Sequence, residues 1–260
     1  MNWRLGVVGS PIEHSLSPRL HEAGLKLAGL SGTSLRHPMT HDEATQIPGL
    51  MRTQFDALSV TMPLKGLVGQ YCDWVDDVSA RTGSVNSLLM RDGRLLGAST
   101  DGGGLLDALR AQFGFDAAGA SVAVLGAGGA ARAIVDALVE GAVESVVVHG
   151  RTAANVEAIT TRYPNVFDFS LNLGPINLVV NTVPVSGRAS EPAVIHGVDE
   201  QTIAVDVTYE PRMTQWRELH RRHGCRSTNG LGMLAYQAAR QMNWWWDAKI
   251  DGADLVDVLE

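Results

Sequence analysis

The sequence predicts an α/β fold in two domains, and three features predict it. Short apolar or β-branched runs at 4–9, 57–61, 122–126, 146–149, 178–181 and 203–207 alternate with helix-length segments, the pattern of parallel strands joined by helical crossovers. One hairpin interrupts it, with runs at 86–91 and 94–98 flanking Asp92-Gly93, a strong two-residue turn signal. After Gly119-Ala120 a second strand–turn–helix unit begins. A helix from 102 to about 113 bridges the halves. The expected division is therefore 1–101 with 230–260 against 102–229, the helical C-terminal segment from Asn229 returning to the first domain.

Each element has its own signal. Ser17-Pro18 reads as an N-cap and first helical position, starting a helix after the first strand. Pro63 is expected to start another, which places Lys65 in a first turn where the helix dipole disfavours its charge. Asp101 would cap the bridging helix. The run 121–126 leads through a glycine-rich turn into a helix ending near Gly141, before the strand at 146–148.

Composition narrows the function. Gly supplies 28 of 260 residues, against a usual share of about 7%, without a collagen-like period, so tight turns and close backbone approach to ligands are expected. The net charge is −7 and the longest basic run is Arg221-Arg222-His223, which argues against nucleic acid. The N-terminus meets Glu13 too soon for a secretory signal, and no apolar stretch reaches 18 residues, so no membrane role is expected. Cys72 and Cys225 stand far apart without metal-ligand spacing, which fits a reduced, cytoplasmic setting. His14 and His21 lack an accompanying acid or Cys cluster and read as structural or substrate-lining; no metal is expected.

The strongest local motif is Gly126-Ala127-Gly128-Gly129-Ala130-Ala131, a G-x-G-x-x-A turn between strand and helix. Gly126 would allow the turn, Gly128 the approach of a pyrophosphate, and Ala131 close helix–strand packing. An ordinary βα turn of small residues is the alternative. The following strand ends in His149-Gly150-Arg151-Thr152, with no carboxylate before Glu157. A guanidinium without an acidic neighbour favours NADP over NAD, unless Arg151 is simply a solvated charge.

Three polar clusters mark the first domain: Gly9 to Pro18 with Ser15 and Ser17, Ser59 to Lys65, and Ser99 to Gly102. Two hydroxyls at a helix start suit a carboxylate, although simple capping is an equal alternative. These clusters, with Gly83-Ser84-Val85-Asn86, the glycine turn, Asp206 to Pro211 and Asn229 to Gln237, resemble in order the signatures of shikimate dehydrogenases from about residue 5 to 240.

The resemblance implies a substrate domain followed by a Rossmann-like dinucleotide-binding domain. It implies that Ser15 and Ser17 hold a substrate carboxylate and that Thr61, Asn86, Asp101 and Gln237 meet ring hydroxyls. Lys65 would stand beside the reacting hydroxyl, the proton being shared between Lys65 and Asp101, and Tyr209 would line the cleft. Gly126, Ala127, Gly128, Gly129, Ala130, Arg151 and Thr152 would bind NADP. Val207 and Gly230 would lie near the nicotinamide, and Asp77 near the cofactor. The implied reaction is reversible NADP-dependent reduction of 3-dehydroshikimate to shikimate, by a monomer or homodimer.

The chain departs from the family at Ser59 and Ser99, where Asn is usual, and at Glu22, Gly150 and Asn155. Fewer basic groups at the phosphate site leave NAD use open. A quinate/shikimate or aminoshikimate dehydrogenase, a non-catalytic NADP or shikimate sensor, and a methylenetetrahydrofolate dehydrogenase are the alternatives. The paired serines argue against the last, and the retained Lys65 and Asp101 against the sensor.

Overall fold

The computed structural model describes residues 2–169, 174–184 and 197–259. The chain divides into two compact units, 1–111 with 232–260 and 112–231.

The first unit is built on a six-stranded sheet of order β2-β1-β3-β5-β6-β4. Its strands are β1 (Asn2–Gly9), β2 (Ser31–Pro38), β3 (Ala57–Val60), β4 (Trp74–Val75), β5 (Ser87–Arg91) and β6 (Arg94–Ala98). β5 runs antiparallel to β3 and β6, whereas the β1–β2, β1–β3 and β4–β6 pairs are parallel. The Asp92-Gly93 turn has φ of 52° and 73°, as the mirror-image turn of a tight hairpin requires.

Around the sheet lie α1 (Ser17–Leu27), α2 (Ile47–Thr53), α3 (Asp77–Thr82), α4 (Asp101–Phe113) and, after the second unit, α8 (Leu231–Trp246) and α9 (Gly252–Leu259). The C-terminal α8 and α9 belong to this first unit. Val8, Met39, Ile47, Met51, Leu58, Leu64 and Leu88 form its core. Trp245 is buried, its indole N–H donating to Ser87 Oγ at 2.8 Å, so the tryptophan run at the end of α8 serves packing.

Three local expectations are corrected. Pro63 does not start a helix: the chain turns through 61–67 and forms only a short 3₁₀ turn at Val68–Tyr71. Gly66 and Gly69 deny this stretch helix propensity, so the Lys65 charge does not face an α-helix dipole. Ser17 is the first helical residue of α1 and Leu16 its N-cap, with no side-chain cap. Asp101 lies inside α4 as its first residue and turns its carboxylate to other partners.

The second unit carries β7 (Ser121–Leu125), β8 (Ser145–His149), β9 (Val166–Asp168), β10 (Leu178–Asn181), β11 (Ile203–Asp206) and β12 (Arg226–Thr228). All are parallel, in the order β12-β11-β10-β7-β8-β9. That is the doubly wound order, whose topological switch point falls between β7 and β10. The helices are α5 (Gly129–Glu140), α6 (Ala153–Thr160) and α7 (Gln215–Arg222). α5 buries Ala131, Ile134, Val135 and Leu138, one helical face, against strands that are apolar on both sides, as a covered parallel sheet demands. Among the described residues no helix is long and apolar enough to cross a membrane.

Candidate active site

In the first unit the polar residues gather where β1, β3 and β5 meet α1, α4 and α8. Because Ser17 does not cap α1, its hydroxyl is released from that duty and lies 3.3 Å from Ser15 Oγ. Ser15 Oγ also accepts the Ser17 N–H at 3.3 Å. Both serines are buried. Two hydroxyls thus sit side by side at the start of α1, where helix N–H groups favour an anion.

Lys65, on the turn after β3, and Asp101, at the start of α4, form an ion pair. Lys65 Nζ donates to Asp101 Oδ2 at 2.6 Å, with the carboxylate side chain 4% exposed and the lysine 17%. Asp101 is the first residue of α4, where a negative charge is stabilised by the helix N-terminus. Its other oxygen, Oδ1, accepts from Asn86 Nδ2 at 2.9 Å. Asn86 Nδ2 also faces Thr100 Oγ1 and Gln237 Oε1, each at 3.0 Å, while Asn86 Oδ1 takes the Thr100 N–H at 2.8 Å. Asn86 is therefore the hub that fixes Asp101, Thr100 and Gln237 relative to one another. A buried polar network this closely satisfied holds its members rigidly.

Thr61 follows β3 and is half-buried; its N–H donates to Val8 O at 2.9 Å, and its hydroxyl has no partner among the described residues. Asp77 begins α3, exposed and without a side-chain partner among the described residues; its neighbour Asp76 caps that helix.

Gln241, which the sequence did not single out, completes the cluster. Ser59 Oγ donates to Gln241 Oε1 at 2.7 Å, and Gln241 Nε2 donates to the Asn86 carbonyl at 2.8 Å. At position 59, where an amide is expected, the serine thus meets the amide of Gln241 from α8. The only signal was its place four residues after Gln237, on one helical face. Behind it, His21 bridges Ser34 Oγ at 2.8 Å and Ser59 Oγ at 2.9 Å. Burial pushes the His21 imidazole down to about 3, so it is neutral. Ser59 commits its proton to Gln241, so His21 must donate from Nε2 and accept the Ser34 proton at Nδ1. The second departure, Ser99, leaves a buried hydroxyl without a partner among the described residues.

In the second unit the glycine turn lies at the switch point. Gly126 has φ of +107°, and a Cβ there would strike the Thr182 hydroxyl at the end of β10. Its N–H donates to His149 O at 2.7 Å, tying the turn to the end of β8. Gly128, the N-cap of α5, is exposed and has no neighbour around its Cβ position; no side chain caps the helix, and its first turn contains no acid. Ala127 packs against Gly150, while Gly129 and Ala130 open α5.

Arg132, in the same first turn, has a buried Nε without an acceptor among the described residues. Arg151 and Thr152 are exposed, and Arg151 has no partner among the described residues. Backbone donors, open space and unpaired guanidinium groups fit the pyrophosphate and 2′-phosphate of NADP. Gly230 and Val207 are also together: a Cβ on Gly230 would overlap the Val207 carbonyl, so only glycine fits. Tyr209 is half-buried after β11, in this unit rather than with the serines.

Residues 7–88 match the family described as the shikimate dehydrogenase substrate binding domain, and 108–199 match shikimate / quinate 5-dehydrogenase. A shikimate dehydrogenase (NADP(+)) of Exiguobacterium sp. strain AT1b is 33% identical over 98% of each chain. The Thermus thermophilus shikimate 5-dehydrogenase in complex with NADP(H) and shikimate is 31% identical, covers 98% of each chain and superposes with a TM-score of 0.87. The Listeria monocytogenes enzyme in complex with shikimate and NAD is 26% identical, with a TM-score of 0.85, over all of this chain and 96% of that one. On full-length similarity at this identity, the chain belongs to the shikimate dehydrogenase family.

Proposed function

We propose that the chain is an NADP-dependent oxidoreductase that interconverts 3-dehydroshikimate and shikimate. The observation that carries this is the Lys65–Asp101 pair, its carboxylate buried beside Asn86 and Gln237 and its lysine partly exposed, in the unit that bears the serine pair. Ser15 and Ser17 would hold the ring carboxylate. Asn86, Thr61 and Gln237 would meet the ring hydroxyls, and Tyr209 would line the cleft.

The cofactor would be held by residues 126–130 through the α5 N-terminus, with Arg151 and Thr152 at the 2′-phosphate. Val207 and Gly230 would lie beside the nicotinamide ring, and Asp77 near the cofactor. When bound, NADP supplies or accepts the hydride. The protein's own task is the proton. In the reductive direction Lys65 Nζ donates to the carbonyl oxygen and transfers a proton as alkoxide character develops. Asp101 then carries a charge no longer balanced by an ammonium, and it is held by Asn86 Nδ2 and the α4 N-terminus. In oxidation the same atoms run the path backwards. Two free cysteines, Cys72 and Cys225, accord with a reduced, cytoplasmic setting.

The test is Lys65→Met. Loss of a positioned proton donor is expected to cost about 10²- to 10⁴-fold in kcat. NADP⁺ binding, followed by quenching of tryptophan fluorescence, should stay within twofold of wild type. A Lys65→Met enzyme with near wild-type kcat on shikimate would remove the pair from the chemistry.

A further inference from the structure

Arg36 lies on the edge strand β2, paired in register with Val7. Its side chain reaches the loop that carries the two serines: Nε and Nη2 donate to the Ser15 carbonyl at 3.0 and 2.6 Å. No carboxylate of the described residues pairs with it. Arg36 is exposed, yet its guanidinium is held by two bonds on a backbone carbonyl and so sets a positive charge against the turn that presents Ser15 and Ser17.

The same peptide group has a second end. The carbonyl of Ser15 and the N–H of Leu16 share one amide, and that N–H has no acceptor among the described residues. Two charge-assisted bonds to the carbonyl polarise the amide and strengthen its N–H as a donor. That peptide joins Ser15 to the N-cap of α1, and the two serine hydroxyls beside it lie 3.3 Å apart, neutral groups of the kind that hold an anion.

We propose that Arg36 is a positioning residue that fixes the Ser15 carbonyl and makes the serine site selective for an anionic group over a neutral one of similar shape. The inference rests on the carboxylate role of Ser15 and Ser17 proposed above. It goes further in assigning the charge selectivity to a residue on a different strand that need not touch the substrate.

The experiment compares wild type, Arg36→Met and Arg36→Lys by initial rates of NADP⁺ reduction, using shikimate and its uncharged methyl ester. Shikimate binding by calorimetry runs in parallel. Arg36→Met should raise the shikimate KM and Kd at least tenfold, with kcat within threefold and the NADP⁺ KM within twofold. The wild-type preference for shikimate over its ester, in kcat/KM, should fall by a similar factor, and Arg36→Lys should restore part of it. A role in folding alone would change both substrates together. An Arg36→Met enzyme with unchanged shikimate KM and unchanged acid-to-ester preference overturns the proposal while the parent reading stands. If Arg36→Met does not fold, Arg36→Gln, which keeps a donor but removes the charge, takes its place: a reduced acid-to-ester preference supports the proposal, and no change overturns it. A wild type that neither binds nor oxidises shikimate overturns both.

Discussion

Ser59 and Gln241, separated by 182 positions in the chain, are joined by a buried 2.7 Å hydrogen bond from hydroxyl to amide oxygen. Through the other end of that amide, Gln241 holds the carbonyl of Asn86, whose side chain orients Asp101. Gln241→Ala removes an acceptor and a donor at once: the Ser59 hydroxyl proton loses its acceptor, although His21 Nε2 still meets that oxygen, and the Asn86 carbonyl keeps only the Val60 N–H. A buried polar group left without a partner costs about 1–3 kcal/mol. Urea unfolding should show a loss towards the lower end of that range, and an unchanged midpoint would mean the bridge is dispensable.

His21 makes the protein sensitive to acid. Its imidazole is held neutral down to about 3 by burial, whereas an unfolded histidine titrates near 6.5. Below 6.5 the unfolded chain therefore binds a proton that the folded chain refuses, and stability falls as pH drops towards 3. The limiting slope for one such group is about 1.4 kcal/mol per pH unit. The check is a comparison of urea midpoints from about pH 7 to pH 5 for wild type and His21→Asn. The variant should have the shallower dependence, whatever its absolute stability; parallel curves would contradict the assignment.

Asp101→Asn keeps the shape of the α4 start but removes the charge that pairs with Lys65. Its kcat should fall by about 10²-fold or more, with NADP⁺ binding unchanged, because the ammonium loses the partner that orients it. Steady-state kinetics with saturating shikimate read this directly. A variant as active as wild type would leave Lys65 oriented by something other than Asp101.

Arg151 is exposed and has no partner among the described residues, free to meet a 2′-phosphate. A hydrogen bond to a charged group contributes about 1.5–3 kcal/mol, or about tenfold to a hundredfold in affinity. Arg151→Gln should weaken NADP⁺ by that factor and leave the NAD⁺ dissociation constant unchanged. Equal loss for both dinucleotides would place the arginine elsewhere on the cofactor.

How much of the fold could be read from the sequence depended on the range of each interaction. The strand runs at β7, β8, β10 and β11 were legible because a covered parallel strand is apolar on both faces, and the hairpin because Asp92-Gly93 names its own turn. β2 was not: Ser31 to Pro38 contains little that is apolar, its Leu35 is exposed, and what makes it a strand is eight residues of register with β1. The Lys65 segment misled because Pro63 is a helix-start signal that Gly66 and Gly69 override.

At the site, the pairing of Lys65 with Asp101 came from likeness to a family, not from spacing. Gln241 and Arg36 were invisible because their partners are distant in the chain: Gln241 meets Ser59 of β3 and the Asn86 carbonyl, and Arg36 meets the Ser15 carbonyl. The departures at Ser59 and Ser99 separate in the structure: the first is hydrogen-bonded to Gln241 and His21, and the second leaves a hydroxyl unpaired among the described residues.

The proposed reaction stands or falls on initial rates of nicotinamide reduction by the purified protein, with shikimate and with quinate, each against NADP⁺ and NAD⁺. Rapid turnover with shikimate and NADP⁺ is expected, with slower rates for the other three pairs. Turnover with quinate and NAD⁺ as the best pair, or no turnover with any pair despite cofactor binding, would contradict it.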